Sequence, residues 1–267
     1  LPSDTLRAHL MTKLAVLYAT RGGMGDVGKL AIAHARAEGI NVRALALSDE
    51  SADTKAVSSM ICSYDETDPK DIGADNIDVQ DADIKAKAAD ALRASSVTKI
   101  DIMSAEAEEE IRKQIEGVDT VVACIGSRQE SKVSRWNALG TRKVTQAMKS
   151  AKVSRLIFLS SMGIGDDFLP ISFIKVFWGF LLRTALRSAF KDLCAAEELV
   201  FKSDLDYLVV RPTGLSPEEK ESGSWKLVTK PKSGGLAMTV AKGDVAKFMV
   251  SEAVKPTFSR AAVSIGK

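Results

Sequence analysis

Residues 13–28 read KLAVLYATRGGMGDVG, and the interpretation of this stretch decides the fold. The apolar run Lys13–Tyr18 has the length and composition of a buried strand, and it leads directly into the glycine-rich turn TRGGMGDVG. A helical pattern, KLAIAHARAEG, follows and stops at Gly39, and Asn41–Leu47 (NVRALAL) supplies a second strand. Strand, turn, helix and strand within the first fifty residues make a βαβ unit. Gly22, Gly25 and Gly28 form G-x-x-G-x-x-G in the one context that gives this motif meaning, between a strand and a helix. Glycine there permits the tight turn and lets backbone N–H groups approach a pyrophosphate at the helix N-terminus, where the helix dipole favours negative charge. Dinucleotide binding is therefore preferred over a loop that is glycine-rich only for packing.

The alternation continues along the chain. Short apolar runs at Thr120–Cys124, Arg155–Leu159, Tyr207–Val210 and Ala262–Ile265 are separated by helical stretches, which predicts an α/β fold with a Rossmann-type, doubly wound parallel sheet. Ser104 followed by AEAEEEIRKQIEG predicts a helix capped by that serine and stopped at Gly117. The third strand is then KIDIM, residues 99–103, with Asn76–Val79 as the alternative. The Asp-rich interval of about 50–97 exceeds what a crossover needs and reads as an insertion with one helix, Ala82–Ala94. The predicted organisation is an N-terminal tail, 1–12, and a single domain, 13–267, with a small C-terminal region on the substrate side.

Composition narrows the function. The 267 residues carry 37 Lys+Arg against 35 Asp+Glu, a net charge of +2, with 45% hydrophobic and 27% charged residues. That is a globular composition without the broad basic surface that nucleic-acid binding requires, so no nucleic-acid partner is expected. Three scattered cysteines, Cys62, Cys124 and Cys194, and two histidines, His9 and His34, support neither a disulfide framework nor a metal site nor a Ser-His-Asp hydrolase. A reducing intracellular compartment follows. The chain starts at Leu1, so a plastid or mitochondrion is the expected location if the N-terminus is processed, and the cytoplasm otherwise.

Residues 166–190 hold the densest cluster of large apolar groups, interrupted by Lys175, Arg183 and Arg187 too often for a spanning helix. Two readings stand for the apolar helix at about 168–190. It covers the substrate cleft, or it makes a contact with a protein complex or a membrane surface.

The segments TRGGMGDVG, GVDTVVACIGSR, NALGTRKVTQAMKSAKVSRLIFLSSMGIG, AAEELVFKSDLDYLVVRPTGL and KGDVAKFMV together resemble the atypical short-chain dehydrogenase/reductases with an NAD(P)H-binding, NmrA-like domain. Within them the chain is most similar to the group that holds biliverdin reductase B (flavin reductase) and the plastid translocon-associated NADP-binding proteins. The resemblance covers nearly the whole chain from Lys13 except the insertion. It implies a pyrophosphate loop of Thr20, Arg21, Gly22, Met24, Gly25 and Gly28, and an acidic-apolar pair, Asp101 and Ile102, bordering the adenine. It places Ile125, Gly126 and Ser127 beside the nicotinamide ribose. Ser160, Ser161 and Met162, with Pro212, Thr213 and Gly214, would hold the nicotinamide end.

The resemblance implies NADP(H) in preference to NAD(H), while the charges at the second strand leave both open. Asp49 suits the ribose hydroxyls of NAD, and Arg21 with Ser48 suits a 2′-phosphate. Leu47 stands where many members carry a phosphate-gripping Arg. A second departure concerns catalysis. The places of the Tyr and Lys that protonate a carbonyl in short-chain dehydrogenases fall on Ala189 and Leu193, with Lys191 out of register and Tyr207 read as packing. The expectation is a reductase that passes hydride to a small-molecule acceptor of the flavin, quinone or tetrapyrrole type, with Ser161 or solvent supplying the proton. Its rival is a catalytically silent NADP(H)-binding subunit of a larger organellar complex.

Overall fold

The structure is a computed structural model that describes residues 12–19, 23–48, 97–126, 136–164, 187–216, 222–229, 236 and 239–267. Among these, eight strands form one sheet: β1 (Lys13–Ala19), β2 (Asn41–Ser48), β3 (Val97–Asp101), β4 (Thr120–Cys124), β5 (Arg155–Leu159), β6 (Asp206–Pro212), β8 (Lys226–Val228) and β10 (Ala261–Gly266). The order is β3-β2-β1-β4-β5-β6-β10-β8. Every pairing is parallel except that of β10 with the short edge strand β8. β7 (Gly214–Leu215) and β9 (Thr239–Val240) form a separate two-stranded parallel pair. Strands covered on both sides read as unbroken apolar runs, and every residue of β4 and of β5 is buried.

The helices make two packed groups. α1 (Gly23–Ala37) packs on α5 (Lys242–Val254), and α3 (Trp136–Ala151) packs between α2 (Ala107–Ile115) and α4 (Arg187–Phe201). The chain winds from β1 outward through β2 to β3, then returns across the sheet to β4. The carboxyl ends of β1 and β4 are therefore neighbours at a topological switch point, with Tyr18 in register with Cys124.

Two local expectations are corrected. The third strand is Val97–Asp101 rather than 99–103, because Asp101 turns the chain: its carboxylate accepts the Met103 N–H at 2.9 Å and its carbonyl the Ser104 N–H at 3.0 Å. That turn also displaces the helix start, so Ser104 does not cap α2. Its hydroxyl instead donates to the Glu106 carboxylate and accepts the Glu106 N–H at 3.1 Å. Gly117 stops α2 as expected, in the left-handed conformation with φ 74°. The insertion, with its helix Ala82–Ala94 and the alternative strand Asn76–Val79, lies outside the described residues, as does the apolar segment 168–190 up to Leu186.

Buried ion pairs hold the second half of the sheet to its helices. Arg211 on β6 donates from Nε and Nη2 to Glu197 on α4 at 3.0 and 2.6 Å, with both residues buried. Removing only the cation leaves a carboxylate uncompensated in the interior, so Arg211→Leu is expected to destabilise the fold by about 3–5 kcal/mol in a denaturant melt. Arg211→Leu combined with Glu197→Leu should recover most of that loss.

Candidate functional site

The site grows from the contact between α1 and the ends of β1 and β4. A Cβ on Gly25 would lie 2.1 Å from the Ala19 carbonyl oxygen, and one on Gly28 would lie 2.5 Å from Tyr18 Cβ and 3.0 Å from Cys124 Cβ. Only glycine allows the first turns of α1 to press this closely on the strand ends. The closeness sets the N-terminus of α1, the end where helix N–H groups have no partner within the helix and the dipole is positive, at the carboxyl edge of the sheet. Met24 is buried there and crosses to β4, its sulfur filling the space that a Cβ on Gly126 would take.

The loop after β4 is fixed from the other side. Trp136 Nε1 donates to the Ile125 carbonyl at 3.0 Å, and Ile125 and Gly126 are buried. The N-terminus of α3 is held in turn by Asp192 of α4, whose carboxylate accepts the backbone N–H groups of Asn137 and Ala138 at 2.7 and 3.0 Å. Asp192 precedes Leu193, the place that the resemblance gives to the lysine of short-chain dehydrogenases. Leu193 is buried in the core and Lys191 is exposed, as expected for a solvated charge. Asp192 was not singled out in the sequence, since the helix it caps lies 54 residues away and no local pattern signals it.

At the next strand ends the backbone extends the sheet beyond its last strand residues. Ser160 N–H donates to the Val210 carbonyl and Met162 N–H to the Pro212 carbonyl, each at 2.8 Å, while Thr213 N–H donates to the Ile265 carbonyl at 2.9 Å. Ser160, Ser161 and Met162 are thereby brought beside Pro212 and Thr213, with Gly214 exposed just beyond in β7. Ser160 Oγ and Thr213 Oγ1 are both buried, and neither has a hydrogen-bond partner among the described residues. An unpartnered buried hydroxyl costs stability, and two at neighbouring strand ends match the need of a ligand carrying amide or hydroxyl groups. Ser161 Oγ is half-buried and faces its neighbour's carbonyl, Met162 O, at 3.4 Å.

A third group lies at the ends of β2 and β3. Ser48 is buried and its carbonyl accepts the Ile102 N–H at 2.9 Å. Asp101 keeps one carboxylate oxygen on the Met103 N–H, and Ile102 is wholly buried behind the surface. Thr20, Arg21, Gly22 and Ser127 lie outside the described residues.

Neither buried titratable group beside the strand ends is poised for proton transfer. Burial pushes the Tyr18 phenol up to about 12, a rise opposed only in part by the Arg36 charge, and burial likewise pushes the Cys124 thiol up. Among the described residues no group of three or more His, Cys, Asp or Glu could hold a metal, and no helix is long and apolar enough to cross a membrane. The arrangement therefore offers a helix N-terminus for phosphates, a closely packed β1–β4 crevice, and two hydroxyls at the far end that have no partner among the described residues. This is a fit for a dinucleotide lying across the strand ends.

Comparison with known proteins agrees with this geometry. A family model described as NAD(P)H-binding matches residues 80–256, more than half of the chain. Protein TIC 62, chloroplastic, of Arabidopsis thaliana is 27% identical over 164 residues, which covers 58% of this chain and 23% of that protein. The protein of the same name from Oryza sativa subsp. japonica is 26% identical over 211 residues, covering 76% of this chain and 36% of that one. The chain thus spans about a quarter to a third of the length of these relatives. Among solved structures, a short-chain dehydrogenase/reductase of Veillonella parvula in complex with NADP superposes with a TM-score of 0.60 at 15% identity, over 96% of this chain and 94% of that one. The family match, the doubly wound sheet and the glycine-built crevice at its switch point lead to one conclusion: the chain belongs to the NAD(P)H-binding family.

Proposed function

We propose that the chain is an NADP(H)-preferring reductase that passes hydride to a flavin-, quinone- or tetrapyrrole-like acceptor without a Tyr-Lys pair. The observation that carries this reading is the pair of buried, unpartnered hydroxyls of Ser160 and Thr213, at the sheet edge that the first turn of α1 also faces. The first turn of α1, with Thr20, Arg21 and Gly22 before it, would take the pyrophosphate, and Met24 would lie against it. Ser48, Asp101 and Ile102 would flank the adenosine. Ile125, Gly126 and Ser127 would meet the nicotinamide ribose, and Ser160, Met162, Pro212, Thr213 and Gly214 would hold the nicotinamide. The bound dinucleotide supplies the hydride. Ser161 is the protein group closest in sequence to these hydroxyls that could deliver a proton, with solvent as its competitor. Acceptors of these classes need little acid assistance, which suits a site with Leu193 in place of a lysine.

Arg21 and Ser48 are proposed to read the 2′-phosphate, so Arg21→Ala is expected to weaken NADPH by about tenfold, the loss of one charge-assisted contact, and NADH much less. Equal losses for both nucleotides would remove Arg21 from that role. The reading as a whole is tested by following NADPH and NADH oxidation by the purified protein across flavin, quinone, tetrapyrrole and enone acceptors, with bound nucleotide quantified in the same sample. Turnover with a flavin, quinone or tetrapyrrole is the expected result.

A second reading has its own support. The curated relatives are chloroplastic TIC 62 proteins, far longer than this chain, and α4 devotes Asp192 to capping α3 beside Leu193, the place that the resemblance gives to a lysine. On that reading the chain is a silent NADP(H)-binding subunit of a plastid complex, contacting its partners or a membrane surface through 168–190. Tight nucleotide binding with no turnover would decide for it.

A further inference from the structure

Asp26 occupies an electrostatically awkward place. It lies in the first turn of α1, at the end of the helix where, on the reading above, the dinucleotide's pyrophosphate binds. An isolated carboxylate there competes with the phosphates for the same positive helix end. Lys242 stands in a similarly awkward place, a cation at the first position of α5, where the helix dipole disfavours it. The fold brings these two residues together across 216 positions: Lys242 Nζ donates to Asp26 Oδ2 at 2.7 Å. The lysine side chain is only 13% exposed and the aspartate 32%, so the pair is partly shielded from solvent screening.

The packing shows why the contact is held. α1 and α5 lie side by side, α1 following β1 of the main sheet and α5 following β9 of the two-stranded pair. The start of α5 is itself anchored, because the buried Asp244 accepts the N–H groups of Ser222 and Gly223 at 2.9 and 3.1 Å and the Ser222 hydroxyl at 2.5 Å. Lys242 is thus fixed by a helix that has no other part in the glycine motif.

We infer that Lys242 is a positioning residue of the dinucleotide site, which neutralises Asp26 and holds it aside so that the first turn of α1 can accept the pyrophosphate. The inference rests on the placement of the pyrophosphate at that turn. Its consequence is that Lys242 acts through Asp26 and not by touching the nucleotide.

The test is a double-mutant cycle on NADPH affinity, read by nicotinamide fluorescence at two salt concentrations, with thermal stability recorded for each variant. Lys242→Gln should weaken NADPH by about five- to tenfold at low salt and less at high salt, as expected for a unit charge exposed several ångströms from a phosphate. Lys242→Arg should restore wild-type affinity. Asp26→Asn should bind at least as well as wild type, and adding Lys242→Gln to Asp26→Asn should cost less than twofold. An equal loss from Lys242→Gln in both backgrounds, or a fall in melting temperature with unchanged affinity, would overturn the inference. Wild-type protein that fails to bind NADPH saturably would overturn the underlying placement of the dinucleotide instead, and the inference with it.

Discussion

Gly25→Ala is expected to abolish measurable NADPH binding while leaving the protein folded. The added Cβ would sit 2.1 Å from the Ala19 carbonyl oxygen, a backbone atom at the end of a buried strand that cannot move out of the way. α1 must therefore shift away from β1, and the overpacking costs about 1–3 kcal/mol of stability. The larger effect is on affinity, because the shift breaks the alignment of the helix N–H groups with the phosphates. Losing two charge-assisted hydrogen bonds of about 1.5–3 kcal/mol each weakens binding by more than about 100-fold. Gly126→Ala provides the contrast. Its Cβ would collide first with the Met24 sulfur, the far end of a side chain with three rotatable bonds, so the side chain can yield and the loss of affinity should be much smaller. Isothermal titration of the two variants, with circular dichroism to confirm folding, checks the difference.

The second large effect has two signs. Thr213→Val keeps the shape of the side chain and deletes a buried hydroxyl that has no partner among the described residues. Without nucleotide the variant should be more stable than wild type, since an unsatisfied buried hydroxyl costs about 1–3 kcal/mol. With nucleotide it should bind about three- to tenfold more weakly, the worth of one hydrogen bond of about 0.5–1.5 kcal/mol. Ser160→Ala should behave in the same way. The two losses should not add, because the hydroxyls lie at adjacent strand ends and would share one ligand group. A variant that gained stability and kept full affinity would show that these hydroxyls are packing defects rather than ligand contacts.

The sheet was legible because buried parallel strands are written as unbroken apolar runs. Thr120–Cys124 and Arg155–Leu159 match their strands residue for residue, and Gly117 stops its helix as expected. Legibility failed where a side chain serves the backbone of another residue. Asp101 uses its carboxylate to turn the chain at Met103, which shortened β3 at its carboxyl end and moved the start of α2 past Ser104. Nothing in the spacing of Ser104 and the acidic run distinguishes a cap from a turn residue that holds Glu106.

The glycine motif pointed to the face of the molecule on which the site is proposed, since close approach of backbone to backbone leaves a mark in residue type. The electrostatic and capping partners left no such mark. Asp192 reaches α3 and Lys242 reaches Asp26 only through the tertiary fold, 54 and 216 positions away, so their roles are visible only once the helices are packed. The hydroxyls of Ser160 and Thr213 lie between these cases. The family resemblance pointed to both residues, and the structure adds that each is buried without a partner among the described residues.

One dinucleotide is proposed to bind across the ends of β1, β4, β5 and β6, with its phosphates on the first turn of α1. The most direct measurement is an equilibrium titration of the purified chain with NADPH, followed by nicotinamide fluorescence, for wild type and Gly25→Ala side by side. The expected result is saturable binding to wild type at one equivalent per chain, and its loss in the variant. Wild-type protein that never saturates, or a Gly25→Ala protein that binds as tightly as wild type, would contradict it.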